Sequence, residues 1–209
     1  MKKSGLILVA VIVCLAFIVV SFINVSADPK SKKDKKIYPI GIPRTGQTYS
    51  DTDFRDWVHD DDGELQMGVP WPDQRFSDNG DGTVTDNLTG LVWLKDANCF
   101  GIIYWYGALV ECNTLEDGYC GLTDGSMPRD WRLPNRNELL SLIDISNGRP
   151  ALPDGHPFLN VWEGYYWTSS QAAPNAPSEA WYIYMWNGAV DHAGKVRNEF
   201  LVWPVRSSN

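Results

Sequence analysis

Short apolar and β-branched runs, broken every few residues by Gly, Asn or Asp, set the rhythm of most of the chain. Thr83 to Thr85 and Leu91 to Leu94 are two such runs inside "RFSDNGDGTVTDNLTGLVWLKD", and the Asx and Gly turns between them predict paired strands. Near the end, "YYWTSS", "AWYIYMW" and "FLVWPVR" are aromatic, β-prone runs separated by turn-rich stretches, with Asn187-Gly188 as a hairpin signal. Alternation in the second of these puts Tyr182, Tyr184 and Trp186 on one face and Trp181, Ile183 and Met185 on the other. Both faces are apolar enough to expect cover.

Two stretches carry helical spacing instead. In "WYGALVECNTL", Trp105, Ala108, Leu109, Cys112 and Leu115 fall on one stripe. In "DWRLPNRNEL", Pro134 disfavours helix at Leu133, and Asn135 followed three residues later by Glu138 predicts a reciprocal cap. Leu139, Leu142 and Ile143 continue that helix, with Leu140 beside them. Trp131 and Leu133 alternate ahead of it and are placed to pack beneath, while Arg132 is expected to pair with a buried carboxylate. Residues 75–209 therefore predict an α+β domain: two short helices with a twisted antiparallel sheet and long loops.

Upstream of residue 75 the pattern changes. Residues 1–27 hold two lysines and then "GLILVAVIVCLAFIVVSFINVSA", an uncharged run closed by the small-residue step Val25-Ser26-Ala27, which predicts an export signal. The run is long for a signal, so an uncleaved anchor over residues 5–25 is the rival reading. Lysines in the spacer at residues 28–36 sit awkwardly with both, because positive charge just after an apolar span opposes its export. Cys14 lies mid-run behind Val13, the wrong place for lipid attachment. Residues 37–74 have turn residues and little periodicity, and read as an irregular lead-in packed by Trp57 and Trp71.

Export fits the remaining cysteines. If Cys112 is a buried member of the helical stripe, Cys99 and Cys120 flank that helix and are the expected disulfide. A zinc site is the alternative, but spacings of 13 and 8 residues match no familiar ligand pattern, and no histidine is near in sequence. Calcium is a second temptation at "DNGDGTVTD". With Asp78 as the first ligand, however, Gly80 occupies the third position and Thr83 the sixth, where glycine is required. Tight turns explain those residues better. Asn87 begins a glycosylation acceptor triplet, but turn chemistry already accounts for it.

From residue 37 onward there are 11 basic and 24 acidic side chains, a formal charge of −13, which repels phosphate backbones and excludes nucleic acid as a partner. His59, His156 and His192 are scattered, and no Gly-x-Ser-x-Gly nucleophile turn occurs, so no catalytic set, cofactor or metal site is expected. Most of the ten tryptophans are expected in the core, the others as platforms for a sugar ring or a protein partner.

Together "RFSDNGDGTVTDNLTGLVWLKDANCF", "CGLTDGS", "DWRLPNRNELLSLID", "YYWTSS" and "VWPVR", spanning residues 75–206, resemble the Lcl C-terminal domain family, and "TGQT" and "GVPWP" resemble what often precedes that domain. The resemblance implies a fold related to C-type-lectin-like domains, with first and last strands paired and ligand loops at one end. It is also similar to formylglycine-generating domains, but those rely on a late cysteine pair and this chain has no cysteine after Cys120. The expectation is an exported, non-enzymatic binding module, lectin-like or adhesive, for a glycan or protein ligand. A diversified, receptor-like display protein is a further reading within the same class. Contacts are expected in the loops around "SQAAPNAPSE" and "WNGAVDHAGKVRN", from Trp186, Asn187, Asp191, His192 and Lys195. The competing reading is that Asn187 merely turns the chain and Trp186 is core. Neither Glu-Pro-Asn nor Trp-Asn-Asp is present, which speaks against calcium-dependent sugar binding.

Overall fold

The computed structural model of the chain describes residues 41–50, 61–173 and 176–208. The expected signal or anchor, the lysine spacer, Trp57 and His59 lie outside these residues. Two sheets form where one was expected. The first is antiparallel, in the order β1 (Phe76–Asp78), β2 (Thr83–Asp86), β3 (Leu91–Leu94) and β9 (Val205–Ser207). The second runs β4 (Ile102–Tyr104), β8 (Glu199–Leu201), β5 (Tyr165–Gln171), β6 (Glu179–Tyr184), β7 (Ala189–Gly194), antiparallel apart from the β5–β8 contact. Three helices complete the set: α1 (Asp62–Leu65), α2 (Trp105–Thr114) and α3 (Arg136–Leu140).

The turn residues act as their chemistry requires. Asp78 accepts from Gly80 N–H, and Asp81 accepts from both the N–H and the hydroxyl of Thr83. Lys95 donates to the other oxygen of Asp78. Gly82 has φ +86, and a Cβ there would come within 2.3 Å of the Gly121 carbonyl, so this turn packs directly on the segment after Cys120. Asn87 spends its amide on the Gln74 carbonyl and the Ser77 hydroxyl.

The final strand pairs with the amino-proximal sheet, but through β3 and not β1: Leu91, Val92 and Trp93 stand opposite Ser207, Arg206 and Val205. β1 is held at the outer edge behind β2. Closure on the free side of β3 buries apolar surface, for Trp93, Trp203 and Val205 are all inaccessible there. Trp93, Trp131, Trp167 and Trp203 are fully buried, with Trp203 edge-on to both Trp93 and Phe158.

Both main helices stand where periodicity put them. α2 buries Trp105, Ala108 and Cys112. Cys99 and Cys120 form the disulfide that flanks it, with Cα atoms 5.7 Å apart, and Cys112 is free and buried. α3 opens on a full capping box between Asn135 and Glu138, and Arg132 grips the Glu138 carboxylate with two bonds of 2.7 Å. It ends at Leu140, sooner than the spacing of Leu142 and Ile143 predicts. Those two residues are buried from a turn instead, as Asp144 N–H leaves the helical pattern to bond the Ala151 carbonyl.

The described residues of the lead-in, 41–50 and 61–74, make specific contacts that their composition does not suggest. Pro43 and Val69 form a parallel bridge, and Trp71 donates its indole N–H to the Arg44 carbonyl. Thr45 and Gly46 present carbonyls to Ile145 N–H and the Ser146 hydroxyl, and Thr48 N–H bonds the same hydroxyl. Arg75 stands at this junction. Its guanidinium lies 4.8 Å from the Trp71 ring and 4.9 Å from the Phe76 ring, donates to the Ser141 carbonyl, and makes two bonds to the wholly buried Asp86.

Candidate functional site

The β6–β7 hairpin carries the residues singled out from the sequence. Its strands pair from Glu179 opposite Gly194 to Tyr184 opposite Ala189, leaving Met185 to Gly188 as the connection. Asn187 turns its side-chain oxygen back to accept from Ala189 N–H. Gly188 has φ +74, and a Cβ there would lie 2.5 Å from the Ile143 side chain, so the turn is seated on the core.

The five residues do not converge. Asp191 stands opposite Tyr182, whereas His192 stands opposite Trp181, and neighbours along a strand point to opposite faces. Asp191 therefore shares a face with Tyr182 and Tyr184, and His192 lies on the other. There the His192 ring meets Trp181 edge-on and its Nδ1 is 2.6 Å from the Glu179 carboxylate. Lys195 is only 3% exposed. Its ammonium donates to Gln171 Oε1 and the Pro177 carbonyl and sits 4.4 Å from the centre of the Trp105 ring. Burial without a carboxylate partner pushes its pKa down. In this arrangement the Lys195 side chain braces the loop after β5.

Trp186 is half-buried and ends a row of rings. Tyr165 stands opposite Tyr184 across β5 and β6, with ring centres 4.6 Å apart. Phe200 of β8 lies 5.1 Å from Tyr165, and Trp186 lies nearly parallel to Tyr184 at 6.3 Å. Tyr182 meets both Tyr165 and Phe200 edge-on. This face was expected to be covered. It is covered in part: Trp167 and Ala180 are buried in a cluster with Trp105, Ala108 and Cys112 of α2, with Tyr182 and Phe200 packed against it, while Tyr165 is 41% exposed. Among the described residues, the hydroxyls of Tyr165, Tyr182 and Tyr184 meet no hydrogen-bond partner. Burial, then the nearby Asp191 carboxylate and Tyr165, raise the pKa of Tyr182 and keep its hydroxyl a donor. The guanidinium of Arg149 lies over Trp186 at 3.8 Å.

On the opposite side a small polar cleft of about 360 Å³ is lined by Asn135, Arg136, Asn137, Ser170, Gln171 and Trp181. The Arg136 guanidinium rests 4.9 Å from the Trp181 ring. The string that opens α3 therefore borders a cleft as well as capping a helix. Among the described residues, no group of three or more His, Cys, Asp and Glu side chains could hold a metal ion. Nor is any helix among them long and apolar enough to cross a membrane.

Of the expected contacts, Trp186 and Asp191 lie on the face that carries Tyr182 and Tyr184, to which the structure adds Tyr165 and Phe200. Their alternation was legible; that this face would lie open was not. Against known families, the model of the Lcl C-terminal domain matches residues 82–206. No curated protein matches the chain.

Proposed function

The chain belongs to the Lcl C-terminal domain family, and from that premise we propose that it is an exported, non-enzymatic binding module of lectin-like or adhesive type. The observation that carries the reading is the partly open aromatic face: packed rings on sheet strands, whose tyrosine hydroxyls meet no hydrogen-bond partner among the described residues, form a preset surface that needs little ordering to bind. Tyrosine-rich faces of this kind suit sugars and protein partners alike. The finer assignment to a C-type-lectin-like fold is supported by closure of β9 on the amino-proximal sheet and by the long connections between strands. Export is supported by the apolar run at residues 5–25 and by the disulfide, which persists in oxidising compartments. The absence of any cysteine after Cys120 weighs against formylglycine-type chemistry.

A glycan array and a pull-down, each with and without calcium, test the binding role. Retention of a ligand, lost on Trp186→Ala, is the expected result. No ligand at high protein concentration, together with turnover in an enzyme screen, overturns it. Fractionation with N-terminal sequencing tests export: a start near residue 28 means cleavage, an intact N-terminus in the membrane fraction means anchoring, and an intact cytosolic chain refutes export.

A further inference from the structure

We infer that the polar cleft between α3 and strands β5 and β6 is a second ligand site, which takes a sugar acid by its single carboxylate. Arg136 stands at the start of α3, Ser170 and Gln171 at the end of β5, and Trp181 within β6. The Arg136 guanidinium rests 4.9 Å from the centre of the Trp181 ring, and among the described residues no carboxylate or other acceptor meets it. The carboxylates of these elements are already taken, Glu138 by Arg132 and Glu179 by His192. A half-buried cation is thus left lining a cleft with its N–H donors unspent.

The other lining groups are biased the same way. Asn135 Oδ1 accepts from the Asn137 and Glu138 N–H groups, and Gln171 Oε1 accepts from the Lys195 ammonium. Backbone N–H and ammonium groups only donate, so both amides are fixed in orientation and both NH2 groups are left over. The Ser170 oxygen accepts from Arg136 N–H, which leaves its proton to give. Among the described residues the Trp181 indole N–H meets no partner, and Asn137 keeps its side-chain carbonyl free. The backbone of α3 adds nothing, because its first N–H groups are spent on Asn135 and Ser170. Side chains with many donors and few acceptors call for an acceptor-rich ligand, and a planar guanidinium matches a carboxylate.

Size and charge narrow the class. A volume of about 360 Å³ lies at the small end of ligand sites and suits one sugar residue. Residues 37–209 carry a formal charge of −13, so Arg136 balances one negative charge and each further one meets a repulsive field. Phosphate and polyanions are therefore disfavoured. A peptide terminus would bring a side chain to seat, but Trp181 is the one apolar residue among the described residues that line the cleft. The hydroxyls of a sugar acid find Asn137 and Ser170 instead.

Ligand-observed NMR on the full chain would titrate glucuronate and N-acetylneuraminate, with glucose, glucuronate methyl ester, inorganic phosphate and acetyl-dialanine as comparisons. Both acids are expected to bind, and glucose and the ester are not. Arg136→Gln should weaken binding roughly tenfold or more, the scale of one hydrogen bond to a charged group. Arg136→Lys keeps the charge without the planar fork and should restore only part of the loss. If Arg136→Gln fails to fold, Arg136→Lys carries the test, with a several-fold loss expected. Equal binding of glucose or the ester, preference for phosphate or acetyl-dialanine, indifference to the variants, or silence toward both acids overturns the inference. The aromatic face lies on the other side of the sheet, so a ligand retained there survives each of these failures.

Discussion

The indole N–H of Trp203 donates to the carbonyl of Leu94, 2.8 Å away and 109 residues earlier in the chain. Both residues are fully buried, so the bond closes the two ends of the domain over one another in the absence of water. Trp203→Phe keeps a ring against Phe158 but leaves the Leu94 carbonyl with no donor. The expected cost is about 1–3 kcal/mol. Urea unfolding should show a lower midpoint with an unchanged slope; an unmoved midpoint would mean that the closure does not depend on this bond.

Reduction of the Cys99–Cys120 bridge frees a segment with a sequence separation of 21 residues that includes α2. Loop entropy puts its stabilisation at about 3 kcal/mol. Peptide mapping without reductant should recover that pair alone. Cys112 should resist alkylation until the protein unfolds, since burial raises its thiol pKa far above the usual range. Rapid labelling of Cys112 in the native protein would contradict its place in the core.

Lys195→Met separates bracing from binding. The thioether matches the length of the stem, but the Gln171 and Pro177 oxygens lose their shared donor, at an expected cost of about 1–3 kcal/mol. Melting temperature should fall while binding at the aromatic row stays within a few-fold. The opposite pattern, an unmoved melting temperature and abolished binding, would return Lys195 to the ligand contacts.

Stability below neutral pH should report on Glu138. Burial pulls its carboxyl up, but hydrogen bonds from Arg132 and from Asn135 N–H, with the guanidinium charge, outweigh this and hold it below its ordinary value. A carboxyl lowered on folding adds stability above its unfolded pKa, and that stability is lost as pH falls through the lowered folded value. Between roughly pH 5 and pH 2 the native chain should therefore lose stability relative to Glu138→Gln. Asp144, raised by burial, works in the other direction, but it is common to both proteins and cancels in the comparison.

What could be read from the sequence was local. Asn135 and Glu138 sit three residues apart, so their cap is fixed by chemistry within one turn. Periodicity turned Cys112 inward and thereby left Cys99 and Cys120 for each other. Division into two sheets depends instead on β9 choosing β3 over β1, a contact between distant segments that no local pattern encodes. The aromatic row was half legible. Alternation groups Tyr182 with Tyr184, but whether that face is open depends on how far the ten residues of α2 extend over it. The burial of Lys195 was illegible for a similar reason, because a lysine in a polar stretch signals solvent, whereas its ammonium packs on Trp105, ninety residues earlier.

The grip of Arg75 on Asp86 bears on how the domain can be cut. A fragment starting at β2 would retain Asp86 and the hydroxyl and N–H groups that bond it, but would discard the cation balancing it. An orphaned anion sealed in a dry interior must either capture a proton or admit water, and either outcome loosens the turn from which β3 starts. The smallest autonomous piece must therefore reach back at least to Arg75.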